Sequence, residues 1–222
     1  MNDKDRTDLR IFLFPDQGIE HVMLDRIQTA STLERVCRLS YKEKEKTKDF
    51  CLLIHKDKIL AYCINNPAEA PCELNNRVET ESFCFELFEC ESKKGTFPHG
   101  IPALLMSKKK LEELKKNTDF ISVQQLSECL ASETGDDIHS SSFARVLKYL
   151  NAEGELRFCT FSDTGWEFQY ATFMSECSNG WLIRMSSDAT KDWIIALPIT
   201  KGQLCGSIND WILESTSLSK SE

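Results

Sequence analysis

The sequence predicts an α+β protein: an N-terminal mixed α/β domain with an antiparallel hairpin sheet, a domain of three helices and a hairpin, and a C-terminal β-hairpin plus helix. Apolar residues recur at helical spacing in some segments and form short continuous runs in others, as in mixed folds. Pro98 and Pro102 favour a boundary near residue 104. With 222 residues and 41% hydrophobic content, the chain can form one large or two modest cores. We predict domains at residues 1–104, 105–175 and 176–222.

The N-terminal segment is predicted to alternate strands and helices. Residues 11–14 form a short apolar run before a Pro-Asp-Gln-Gly turn, which predicts a brief strand or extended arm. Helical spacing predicts two short helices over residues 19–39, separated at residues 29–32. Residues 50–54 and 59–64 are apolar runs on either side of a polar turn, which predicts an antiparallel hairpin. Alternation over residues 82–90 predicts a further strand.

Residues 105–175 contain the clearest local signals. Ser107 is a predicted cap for a lysine-rich helix, and Ser122 with Gln125 forms a capping box for a second helix. The serines at 140–142 are predicted to cap a third helix that Gly154 ends. Residues 155–161 and 166–173 then predict two strands joined by a tight turn at residues 162–165.

This order of three helices and a hairpin resembles the winged-helix superfamily, over about a third of the chain. Many members of the superfamily bind DNA, and others serve as protein-docking modules. The resemblance places residues 140–151 in the position of the recognition helix and residues 162–165 at the tip of the wing. It implies these candidate nucleic-acid-binding residues: Ser140, Arg145, Lys148, Tyr149 and Asn151.

Charge favours a protein partner over DNA. The formal net charge is -8, and acidic residues outnumber basic ones in each of the three predicted segments. Asp136, Asp137, Glu153 and Asp163 flank the helix and wing that would approach the phosphates, and their carboxylates oppose a polyanion. A DNA-binding transcriptional regulator with an N-terminal sensing or dimerisation domain is the alternative.

The C-terminal segment predicts a hairpin from residues 181–185 and 193–199. Residues 193–197 are apolar throughout, which predicts a strand covered on both faces. Thr200 and Gln203 form a second possible capping box for a short helix. That helix has an apolar face on one side, which must pack against either the first domain or another chain. Trp211 is therefore the candidate for a partner interface.

No catalytic residue, cofactor or metal site is predicted. The best local pairing of a nucleophile with a base is Cys51 with His55, or with His99, and neither has a supporting motif. Of the ten cysteines, no two lie closer than Cys84 and Cys90, so zinc-site spacings are absent and we expect thiols to fill the core.

No apolar run is long enough to span a membrane and no export signal is visible, so we expect a cytoplasmic protein with reduced cysteines. The resulting hypothesis is a non-catalytic adaptor or regulatory subunit that binds protein partners in an intracellular assembly.

Overall fold

The computed structural model describes residues 3–15, 33–56, 58–66, 68–90, 103–176, 179–185 and 192–217. Within these ranges the chain forms a mixed α+β structure with six helices and one large antiparallel sheet. The helices are α1 (Asp3–Leu13), α2 (Arg77–Phe88), α3 (Lys108–Asn117), α4 (Val123–Thr134), α5 (Asp137–Lys148) and α6 (Lys201–Ser217). The strands are β1 (Arg35–Glu43), β2 (Lys46–His55), β3 (Lys58–Cys63), β4 (Cys72–Leu74), β5 (Leu104–Ser107), β6 (Ala152–Ser162), β7 (Gly165–Glu176), β8 (Asn179–Met185) and β9 (Trp193–Ile199).

All nine strands belong to one sheet in the order β4-β3-β2-β1-β6-β7-β8-β9-β5. Strand β1 pairs with β6 from Arg35↔Thr160 to Glu43↔Ala152, so strands of the first and second predicted domains are hydrogen-bonded neighbours. The predicted hairpins at residues 50–64, 155–173 and 181–199 are confirmed as β2–β3, β6–β7 and β8–β9. The β6–β7 hairpin lies in the middle of the sheet, between β1 and β8. The winged-helix resemblance and the division at residues 104 and 175 stay predictions.

Helices lie on both faces of the sheet. On the first face, α2 and α6 pack against side chains such as Cys37, Leu39 and Tyr41 of β1. On the second face, α1 packs with Val36 of β1, and α3 to α5 pack against β5, β7, β8 and β9. Consecutive residues of a strand point to opposite faces, so β1 contributes to both layers.

Three helix starts are confirmed at the predicted residues. The Ser107 side chain accepts a hydrogen bond from Lys110 N at 3.1 Å and caps α3. Ser122 and Gln125 form a complete capping box at the start of α4. Before α6, Thr200 N donates to Gln203 Oε1 at 2.9 Å, and Gln203 N donates to Thr200 Oγ1 at 3.2 Å. Caps depend on neighbouring residues alone, which makes them readable from sequence.

Two predictions near the N-terminus are wrong. Residues 11–13, predicted as a strand or arm, form the last turn of α1, and Leu9 and Leu13 of that helix are buried. Residues 35–39, predicted as helix, belong to β1. Val36 and Cys37 are both fully buried, since this strand is covered on both faces, and adjacent apolar residues there imitated helical spacing. The rest of the predicted helical segment, residues 19–32, lies outside the described residues.

The strand predicted at residues 82–90 is wrong as well, because residues 77–88 form α2. The start of α2 is fixed by Asn76, whose side chain accepts from Glu79 N at 3.0 Å. Cys84, Leu87 and Phe88 recur at helical spacing and are buried against the first face. Several large apolar residues also occupy the other positions of this helix, which produced the alternation seen in the sequence.

The third helix of the central segment begins earlier than predicted. Asp136, and not the serines at 140–142, caps α5 by accepting from His139 N at 2.9 Å. The helix ends at Lys148, and Gly154 lies inside β6. A Cβ at Gly154 would lie 2.6 Å from the Ser40 carbonyl oxygen of β1. The glycine therefore permits close strand approach and does not end the helix.

Candidate functional site

An open cleft of about 990 Å³ lies beside α6 along the first face of the sheet, and it also reaches Phe12, Phe168 and Tyr170 beside α1 on the second face. Its floor is one cross-strand row over five strands, defined by the pairs Leu156↔Ala171, Ala171↔Arg184, Arg184↔Ile195 and Ile195↔Leu105. All five side chains of the row line the cleft. Leu156 and Ala171 are buried in the core with α6. No described helix covers Arg184, Ile195 and Leu105, so this part of the floor is open.

Large apolar side chains in the cleft remain in contact with water. Leu105 is 52% exposed, Trp193 47%, Ile195 43% and Met185 38%. Their neighbours on β9, Ile194 and Ala196, point to the second face and are fully buried under α3 to α5. The prediction that residues 193–197 are covered on both faces is thus wrong for this chain by itself. One face is covered and the other forms the cleft.

Helix α6 forms one wall of the cleft through Leu204, Ser207, Ile208 and Trp211. The Trp211 ring packs against Phe158 of β6 with ring centroids 4.4 Å apart. Arg35 of β1 lies over the same ring at 5.0 Å and donates from Nη2 to the Ile212 carbonyl oxygen at 2.6 Å. A second donation reaches the Trp211 carbonyl oxygen. This buried arginine therefore fixes the wall, and Trp211 with it, to the sheet.

Arg184 is the charged group in the floor of the cleft. Its side chain is exposed, and it forms no hydrogen bond or ion pair within the parts of the chain described above. The other polar lining residues are Gln169, Tyr170 and Ser207. Burial, helped by nearby Glu155, raises the pKa of Tyr170 to about 12, so its phenol stays neutral at physiological pH. Most of the side chains that line the cleft are thus apolar, and the guanidinium of Arg184 has no carboxylate partner in the part of the chain that the structure describes.

The candidate interface residue Trp211 thus lies in the wall of the cleft. The other cleft residues were missed because a row across five strands depends on the register of the sheet. The signal in the sequence was the apolar run of β9, which was interpreted as a buried strand.

The candidate nucleic-acid-binding residues do not share one open surface. Ser140 is fully buried, and its hydroxyl lies 3.0 Å from Thr134 Oγ1, so its proposed phosphate contact is wrong. Lys148 Nζ donates to the Ile121 carbonyl oxygen at 3.0 Å and to that of Thr118, and Asn151 Nδ2 donates to Glu43 Oε1 at 2.7 Å. Arg145 is exposed and pairs with Glu176 at 3.0 Å, while Tyr149 is 55% exposed. DNA binding stays an untested alternative.

The thiol considered for catalysis lies in the core. Cys51 is fully buried, and burial raises its pKa to about 12, which opposes formation of a nucleophilic thiolate. His55 is half-buried at the end of β2, and His99 lies outside the described residues. Among the described cysteines, five fill the core as predicted, namely Cys37, Cys51, Cys84, Cys159 and Cys205.

Metal-binding clusters and membrane-spanning helices are both absent from the residues that the structure describes. Among the residues with a described position, no three His, Cys, Asp or Glu side chains come together as a metal site. No helix in those same ranges has the length and hydropathy needed to cross a bilayer.

No family model and no curated protein matches the chain. Among solved structures, the chain is similar to the type VII secretion system chaperone EspG5 of Mycobacterium tuberculosis, in a complex with the PE25–PPE41 dimer. The identity is 14% and the TM-score 0.49, over 86% of this chain and 77% of EspG5. At this level no property of EspG5 is carried over to this chain.

Proposed function

We propose that this protein is a non-catalytic adaptor or regulatory subunit whose open cleft binds a helix of a protein partner. The observation that carries the proposal is the group of three large apolar side chains on the first face, Leu105, Trp193 and Ile195, each 43–52% exposed in one cleft. Clustered exposed apolar surface marks interaction sites, and tryptophan is enriched in protein interfaces. A partner on the cleft would cover the first face of β9, which α3 to α5 leave exposed, and so bury both faces of this strand as its sequence predicts.

The dimensions of the floor suit a helix. Leu156 and Ala171 are already buried in the core with α6, so the exposed part of the row is Arg184, Ile195 and Leu105, which crosses three strands and spans roughly 10 Å at about 4.8 Å between strands. A helix with its side chains is about 10–12 Å across, so one helix fits this width. Helices α2 and α6 already cover the neighbouring part of the same face. A partner helix would therefore continue an existing layer of helices on the sheet.

The charge of the cleft specifies the partner further. Arg184 presents a guanidinium that has no partner among the described residues in an apolar floor, and a carboxylate is its natural partner because a charge covered by apolar groups needs pairing. We expect an amphipathic partner helix with an Asp or Glu among its apolar residues. Since the whole chain carries a net charge of -8, the remainder of the partner should be neutral or basic.

The winged-helix relationship of residues 105–175 belongs to the same proposal. Helices α3 to α5 form a core with Trp181, Ile183, Ile194 and Ala196 on the second face. The strands whose first face forms the cleft are thus covered by these helices on their second face. In this role the three helices are a scaffold for protein docking.

The test compares variants of the tagged full-length chain, isolated with its partners from cells that express it naturally. Ile195→Asp places a charge in the floor and should reduce recovery of a stoichiometric partner at least tenfold. Arg184→Glu should reduce it as well, because the partner carboxylate would face a like charge. Phe120→Asp is the matched control, since Phe120 is 85% exposed and does not line the cleft.

A photoreactive benzoylphenylalanine at position 193 identifies the bound segment by cross-linking and mass spectrometry. The expected product is a helical, apolar segment of the partner that contains an acidic residue. The proposal fails if no stoichiometric partner is recovered, if both cleft variants retain it, or if the cross-linked segment contains no acidic residue among its apolar residues.

A further inference from the structure

Two thiols from distant parts of the chain meet between α2 and α6. Cys90 Sγ lies 3.4 Å from Cys205 Sγ, although the residues are 115 positions apart. Cys90 directly follows the left-handed cap residue of α2, Glu89, and its backbone N–H donates to the Phe85 carbonyl oxygen at 3.1 Å. Cys205 lies in the second turn of α6 and belongs to the core of the first face. Both thiols are thus held by well-packed elements.

From this geometry we propose that Cys90 and Cys205 form an oxidation site, in which a hydroperoxide converts the two thiols into a disulfide that joins α2 to α6. A disulfide requires an S–S distance of about 2.05 Å, so the sulfur atoms need to approach by roughly 1.4 Å. Rotation of the two side chains can supply a movement of this size. The site is independent of the partner-binding proposal.

The environments of the two thiols give them different roles. Cys90 is half-buried, so a small oxidant reaches it, whereas Cys205 is 1% exposed. The hydrogen-bonding contact with Cys205 Sγ lowers the pKa of Cys90, against the effect of partial burial, and the ammonium of Lys201 lowers it further. The pKa of Cys205 is raised by the same contact and by burial. Cys90 is the attacking thiolate and Cys205 the resolving thiol.

The reaction proceeds in two balanced steps. The Cys90 thiolate attacks one oxygen of hydrogen peroxide, the O–O bond breaks, and the products are a sulfenic acid on Cys90 and hydroxide. The sulfur of Cys205 then attacks the sulfenic sulfur, loses its proton and displaces the OH group as water. Two thiols are oxidised by two electrons in total, and one peroxide is reduced to two waters.

The experiment treats the reduced full-length protein with hydrogen peroxide, blocks free thiols and maps disulfides by mass spectrometry without reduction. The expected product is a Cys90–Cys205 cross-link and the loss of two titratable thiols per chain. Cys90→Ser should abolish the cross-link. Cys205→Ser should stop the reaction at the sulfenic acid of Cys90, which dimedone captures.

Cys129 provides the matched control, since it is also half-buried. Cys129→Ser should leave the cross-link unchanged, and Cys90 should react with peroxide at least tenfold faster than Cys129. Circular dichroism verifies that each variant is folded. The proposal is overturned if peroxide modifies Cys90 no faster than Cys129, or if the disulfide forms between other cysteines. It is also overturned if the Cys205→Ser variant gives no dimedone adduct on Cys90.

Discussion

Glu43 is the residue at which polar contacts from several elements meet. Its carboxylate accepts from Tyr41 Oη at 2.6 Å, from Asn151 Nδ2 at 2.7 Å and from Lys201 Nζ at 2.9 Å. These contacts connect β1 with the residue before β6 and with the first turn of α6. Burial of the carboxylate opposes ionisation, but the hydrogen bonds and the charge of Lys201 outweigh it and lower the pKa of Glu43. The ionised form therefore stabilises the fold.

We predict that Glu43→Gln lowers the free energy of unfolding by about 1–3 kcal/mol at pH 7, because charge-assisted hydrogen bonds are lost. The pKa is lower in the folded chain, so the contribution is complete above the unfolded value of about 4.5 and disappears as the pH falls through the folded value. Urea unfolding at pH 7 and pH 3 measures both effects, and the difference between wild type and variant should be smaller at pH 3 than at pH 7. Glu45→Gln, at an exposed turn position, should change little.

Two glycine-to-alanine substitutions distinguish the steric effect of close strand packing from the effect of backbone entropy on stability. Gly154→Ala places a Cβ 2.6 Å from the Ser40 carbonyl oxygen, so we predict a loss of about 1–3 kcal/mol or more as β1 and β6 are forced apart. At Gly206 in α6, a Cβ meets nothing within 4 Å. Gly206→Ala should stabilise by about 0.4–1 kcal/mol, because alanine favours the helix. Thermal unfolding of both variants tests this, and equal effects would contradict the strand contact.

At the scale of single elements, capping residues determine where the central helices begin. Ser122→Ala removes the hydroxyl that accepts from Gln125 N at 3.2 Å and should destabilise the protein by about 1 kcal/mol. Ser132→Ala is the control in the same helix, because Ser132 is exposed near its end and its hydroxyl donates to the Cys129 carbonyl oxygen of the same helix at 3.1 Å. Urea unfolding with equal losses for both variants would indicate that the capping box contributes nothing.

Elements were predictable from sequence where their determinants are local. The caps at Ser107, Ser122 and Thr200 and the hairpins β2–β3, β6–β7 and β8–β9 depend on nearby residues and were found. Strand β1 and helix α2 were assigned the wrong type. Burial decides both, since β1 is covered on two faces and α2 packs against the sheet with only one of its apolar stripes. That information comes from distant strands and is not present in a short window.

At the scale of the molecule, the candidate cleft depends on the order of the strands. Leu105 and Leu156 are at opposite ends of its floor, and only the pairing of β5 with β9 and of β6 with β7 defines the row between them. Trp211 was identified because an amphipathic helix is visible locally. Arg184 and Ile195 could not be identified, since the sequence does not show which face of β8 and β9 lacks a helix.

Because one sheet contains strands from all three segments proposed from sequence, we predict that the central segment does not fold by itself. A fragment of residues 103–176 would leave β6 without β1 and β7 without β8, and would expose Leu156 and Phe173, which are buried in the full chain. We expect this fragment to be unfolded or aggregated. In the full chain, Trp181 lies in the core of the second face and Trp211 packs against that of the first. Urea unfolding followed by tryptophan fluorescence and by circular dichroism should therefore give coincident transitions. A folded fragment with its own cooperative transition would instead support an independent central domain, with the sheet assembled from separately stable parts.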